Sequence, residues 1–61
     1  PYRNEKMFNT LLTHCRPQTQ LCVATDITLP GEQIQTSSIA QWKSRPMPQL
    51  NKRPSLFLLL A

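Results

Sequence analysis

The apolar positions of this chain follow three different patterns in turn. Met7, Phe8, Leu11, Leu12 and Cys15 recur at the spacing of one helical face, which predicts a helix over about 4–16. Asn4 is placed to cap it, Glu5 lies where the helix dipole favours an acid, and Pro17 after Arg16 forbids continuation. A helix of about three turns does not hold alone in water, so its stripe needs a surface to rest on.

Residues 20–29 alternate instead. Leu21, Val23, Ile27 and Leu29 take one face with Thr25 among them, and Gln20, Cys22, Ala24, Asp26 and Thr28 take the other. That period, with its β-branched content, predicts a strand. Pro30-Gly31 then predicts a tight turn in which proline sets the first central residue and glycine supplies positive φ at the second. Residues 32–36 return as a weak second strand with one large apolar residue, Ile34. Together these give a strand or weak hairpin over about 20–36. Residues 37–43 predict a short helix capped by Ser37 or Ser38 and carrying Ile39, Ala40 and Trp42.

Beyond residue 44 the periodicity stops. Pro46, Pro48 and Pro54 predict an extended arm, and it ends in the unbroken apolar run Leu56, Phe57, Leu58, Leu59 and Leu60. The expected fold class is a small α+β or largely irregular chain. It has a single marginal module over 1–43 and an extended Pro-rich, basic and apolar tail over 44–61.

Composition bears on how much of this can stand alone. Of the 24 apolar residues among 61, six are the last six. Without them Leu, Ile, Val and Phe number 10 of 55, near the level at which a chain lacks the means to build a core. At 61 residues one small domain is expected, not a multi-domain protein or a self-contained enzyme with a large preorganised pocket. Few of its own residues are left to cover the apolar run, which in water is a liability. Its expected place is a partner's groove, another copy, or a lipid interface. At six residues it is far below the ~20 that span a bilayer, so a membrane partner would be met at its surface.

The charge is unevenly placed. Residues 1–32 balance to zero, and residues 33–61 hold Lys43, Arg45, Lys52 and Arg53 with no acid, which gives the net +4. A basic half without acids points to RNA, an acidic protein surface or an anionic membrane. Trp42 between Gln41 and Lys43, with Arg45 beyond, is the most interface-like cluster; its alternative is a core aromatic closing over the first helix.

Catalytic chemistry is poorly represented. His14 is the single histidine, and no acid is spaced to orient it. Three acids spread over the first half form no pair, and the spacing of Cys15, Cys22 and His14 matches no zinc pattern. No catalytic residue, metal, cofactor or small-molecule substrate is expected. Cys15 and Cys22 enclose six residues and could close one disulfide in an oxidising compartment. One pair is too few for a disulfide scaffold, so free thiols and an intracellular location, cytoplasmic or organellar, are favoured. No signal-peptide pattern opens the sequence.

These features point to a non-enzymatic small basic subunit that binds across a larger protein or ribonucleoprotein assembly, or a membrane-bound complex, and orders on binding. The expected contact residues are Trp42, Lys43, Arg45, Lys52, Arg53 and Leu56, Phe57, Leu58, Leu59, Leu60. The alternatives are a secreted or processed peptide stapled by Cys15–Cys22, and a membrane-surface peptide anchored by its C-terminal tail.

Overall fold

The computed structural model describes residues 3–50 and 53–60. In chain order the elements are helix α1 (Arg3–His14), strand β1 (Gln20–Thr25), strand β2 (Gln33–Ser38), short helix α2 (Ile39–Lys43) and strand β3 (Ser55–Leu60). The strands form one antiparallel sheet in the order β2-β1-β3. The fold is a mixed α+β structure with both helices on one face of the sheet.

The helical stripe is where its spacing places it, and Phe8 is its fully buried member. The outward threonines are tied to the helix itself, Thr10 Oγ1 donating to the Lys6 carbonyl and Thr13 Oγ1 to that of Asn9, both at 2.9 Å. Asn4 is not a cap. It lies inside α1, and its side-chain amide donates to the Leu50 carbonyl at 3.0 Å and the Arg53 carbonyl at 2.8 Å, with Ser55 Oγ at 3.4 Å. These acceptors sit 46 to 51 residues away, so Asn4 fastens the lead-in of β3 to the start of the chain.

The α1–β1 connection turns at Pro17, with Thr19 N–H donating to the Arg16 carbonyl at 3.1 Å. The same loop receives the start of α2: Ile39 N–H donates to the Thr19 carbonyl at 2.9 Å and Ala40 N–H to the Pro17 carbonyl at 3.0 Å. Ser38 caps α2 in a capping box, its Oγ accepting from Gln41 N–H at 3.1 Å while Gln41 Oε1 accepts from Ser38 N–H at 2.9 Å.

The hairpin differs from its expected form. β1 stops at Thr25, so Ile27 and Leu29 are off the strand, and Leu29 is exposed. The turn takes positive φ at Asp26 (54°) and Thr28 (66°), not at Gly31. Asp26 N–H carries the β1–β3 ladder one step past Thr25, donating to the Pro54 carbonyl at 2.8 Å, and the Glu32 carboxylate holds Thr28 N–H at 2.8 Å. Gly31 makes a close approach: a Cβ there would lie 3.3 Å from Asp26 Oδ2, a tight contact with the end of that side chain.

The largest correction concerns the C-terminal half. It is not an extended Pro-rich arm. Residues 46–50 have no regular structure, yet they fold across the sheet and bury Leu50 completely. The apolar run is β3, paired along its length with β1: Thr25 opposite Ser55, Val23 opposite Phe57, Leu21 opposite Leu59. The core is Phe8, Leu21, Val23, Ile39, Trp42 and Leu50, with Leu11, Leu12, Cys15 and Phe57 packed against it. The sparse apolar content suffices because residues from all three regions of the chain meet in one cluster.

Asn4→Ala removes the donor that two main-chain carbonyls share, and is expected to lower stability by about 1–2 kcal/mol. Urea unfolding followed by circular dichroism checks it: the midpoint should fall with the slope unchanged.

Candidate docking surface

Because side chains alternate across a strand and cross-strand partners share a face, register assigns each residue a side. On the helix-covered face, Leu21 lies between Ser37 and Leu59, and Val23 between Gln35 and Phe57. On the other face, Gln20 lies between Ser38 and Leu60, Cys22 between Thr36 and Leu58, and Ala24 between Ile34 and Leu56. Among the described residues no helix or loop covers that second face. Ile34 is 63% exposed and Leu58 51%, with Leu56 and Leu60 similar. Ala24 is buried even there, because its two long neighbours close over it.

The helix-covered face is itself incomplete at the β3 margin. Met7 and Leu11 of α1 stand apart from Phe57 and Leu59 of β3, leaving an apolar groove of about 340 Å³. Leu59 and Met7 on its rim are each 48% exposed.

The aromatic centre anchors the other side. Trp42 is buried; its Nε1–H donates to the Leu21 carbonyl at 2.9 Å, and Phe8 meets its ring edge-to-face at 5.4 Å and 87°. Of the two readings its sequence context allowed, it is the core aromatic. Arg45 covers the ring, its guanidinium 5.5 Å from the centroid, and its Nη1–H donates to Ser37 Oγ at 3.0 Å. Lys43 is exposed at the end of α2. Arg53 lies past the other end of β1, its Nε 3.7 Å from Asp26 Oδ2. Lys52 is outside the described residues. Lys43, Arg45 and Arg53 therefore do not gather into one basic patch: the first two sit near the start of β1, and the third sits beyond its finish.

Cys15 and Cys22 carry free thiols. Cys15 packs against the core and Cys22 faces the opposite side of the sheet, so β1 itself separates them. His14 is exposed at the end of α1. Among the described residues no group of three or more His, Cys, Asp or Glu could hold a metal. A second pocket of about 210 Å³, between β2 and residues 48–50, has Trp42, Gln33, Gln35 and Arg53 in its wall and no histidine, cysteine or acid.

The chain thus assembles an apolar surface from Leu56, Leu58, Leu59 and Leu60, which the sequence singled out, together with Ile34, Met7 and Leu11, which it did not. Ile34 was a signal in plain view: one large apolar residue on an otherwise polar strand. Phe57 is turned inward against Phe8, ring centroids 6.4 Å apart. No protein-family model matches the chain, and no curated protein matches it as a relative.

Trp42→Phe keeps an aromatic ring against Phe8 but removes the indole donor from a buried carbonyl that also faces β2 in the ladder. A loss of about 1–3 kcal/mol is expected, read as a lower thermal midpoint by circular dichroism.

Proposed function

We propose that the chain is a non-enzymatic subunit that takes its place in a larger protein or ribonucleoprotein assembly by laying its open sheet face against a partner. The observation that supports this most directly is the uncovered face formed by Ile34, Leu56, Leu58 and Leu60, which has no charged residue in its pairing layer. Exposed contiguous apolar surface on a small domain marks an interaction site. Burying one such side chain contributes about 1.5–3 kcal/mol, so a few of them make a stable complex.

The basic residues act at the margins. Lys43 and Arg45 are exposed near one end of the sheet, where Lys43 and the guanidinium N–H groups that Arg45 does not spend on Ser37 can meet an acidic protein surface or RNA phosphates. Their contribution is electrostatic and falls with salt, whereas that of the apolar face does not. Among the described residues no helix is long and apolar enough to cross a membrane.

Ile34→Lys tests this reading, with Gln35→Lys on the other face as the matched charge control. In size-fractionated extracts of cells that make the chain, the wild type and Gln35→Lys are expected in a high-mass fraction. Ile34→Lys should lose at least about tenfold of its share there while remaining folded. Equal distribution of all three would contradict the assignment of this face.

A further inference from the structure

The free edge of β3 belongs with a second copy of the same edge. The phase of the β1–β3 ladder is fixed by Asp26 N–H donating to the Pro54 carbonyl at 2.8 Å. In an antiparallel ladder such exchange recurs at every second residue. Residues 56, 58 and 60 therefore turn their main-chain groups toward β1, and Ser55, Phe57 and Leu59 turn theirs outward. Among the described residues nothing receives the outward groups of Phe57 and Leu59.

Natural edge strands are blunted by charge, proline or a bulge. Ser55–Leu60 has none of these: it contains no charge and no proline, and its pairing with β1 runs in unbroken register. It is also apolar on both sides, with Leu56, Leu58 and Leu60 on the open face and Phe57 and Leu59 on the helix-covered one. A matching strand must be apolar on both faces and uncharged. β2, the chain's other edge, is polar apart from Ile34, and β3 itself is the segment that fits.

We propose that two copies pair antiparallel through β3 about a two-fold axis at Phe57, forming one six-stranded sheet. Phe57 then lies opposite the second copy's Phe57, and Ser55 opposite the second copy's Leu59. The outward groups of all three residues are paired in about six hydrogen bonds. On the open face Leu56 meets the second copy's Leu58. On the other face the groove between α1 and β3 is closed by the second copy's Met7 and Leu11.

Charge selects this arrangement over a parallel one. The two-fold sets the Arg53 residues eight strand positions apart, roughly 26 Å at ~3.3 Å per residue, well beyond the ~8 Å screening length. A parallel pairing would place them side by side. The proposal rests on the reading of the apolar surface as a docking surface, and it leaves Ile34 and the outer part of the open face for the larger assembly.

Sedimentation equilibrium of the full chain, with amide exchange on the same sample, tests it. The expected mass is twice 7.0 kDa, dissociating on dilution, and the Phe57 and Leu59 amides should be protected at high concentration and lose protection with the dimer. Leu58→Lys sets an ammonium against the second copy's Leu56, and Leu59→Pro removes an outward donor while sparing the β1 ladder. Each should raise the dimer Kd at least about tenfold with the circular dichroism of the monomer retained. Ile34→Lys on the far edge should leave it unchanged. A chain that stays at 7.0 kDa, open-ended oligomers, freely exchanging Phe57 and Leu59 amides, or a dimer dissolved by Ile34→Lys would each overturn the proposal. A monomer that still enters the high-mass fraction overturns the dimer alone. A dimer that stays out of that fraction overturns the assembly reading alone.

Discussion

One hydrogen bond organises the molecule: the Trp42 indole N–H on the carbonyl of Leu21, at 2.9 Å in the buried centre. It joins α2 to the central strand at the point where all three strands and both helices converge. Losing that donor from the buried carbonyl would cost about 0.5–1.5 kcal/mol, a sizeable share of what a chain of this size has. Trp42 also presents its ring to the edge-to-face contact of Phe8 and, on its outer side, to the guanidinium of Arg45. Deep and shallow parts of the same side chain thus seam α1, α2 and β1 together, and Arg45 is held in place by Ser37 on β2 as well.

Given that centre, the rest follows from β1 needing a neighbour on each side. The hairpin supplies β2. The second neighbour comes from the far end of the chain, and the means of bringing it back are specific. Leu50 is fully buried, Asn4 holds the carbonyls of Leu50 and Arg53, and Asp26 holds that of Pro54 and faces the Arg53 side chain. These contacts, drawn from both ends and the middle of the chain, close the entry to β3. What they cannot do is cover it. A three-stranded sheet has two faces, and two short helices cover only one of them. The apolar side chains left over on β3 are the consequence, and they give the molecule its docking surface.

How much of this could be read from the sequence depended on how local each cause is. The helix over Arg3–His14 and the Ser38-capped helix were legible because spacing and caps act within a few residues. β1 was legible as far as Thr25; past that point the chain turns at Asp26, whose φ is 54°, a departure that the alternation of Ile27 and Leu29 does not reveal. The Pro30-Gly31 pair signalled a turn correctly in place and wrongly in kind, because positive φ falls at Asp26, a residue type that tolerates it, and at Thr28, whose N–H the Glu32 carboxylate holds. The run at 56–60 was legible as apolar and illegible as a strand: five apolar residues in a row carry no period, and the pairing that orders them reaches back more than thirty residues. Asn4 misled for the same reason. At the surface site, the leucines of β3 were visible as residues in need of cover. Their sorting onto two faces required the register, and Ile34, Met7 and Leu11 joined them only through tertiary placement.

The central claim is that residues 55–60 form a strand on β1 by virtue of this chain alone. Cross-strand nuclear Overhauser contacts in the isolated chain test it directly. Val23–Phe57 and Leu21–Leu59 are the non-hydrogen-bonded pairs of the ladder, whose α-carbons approach to about 4.5 Å, so strong Hα–Hα contacts between them are expected. Random-coil shifts over 55–60, with no contact to Leu21 or Val23, would contradict the account.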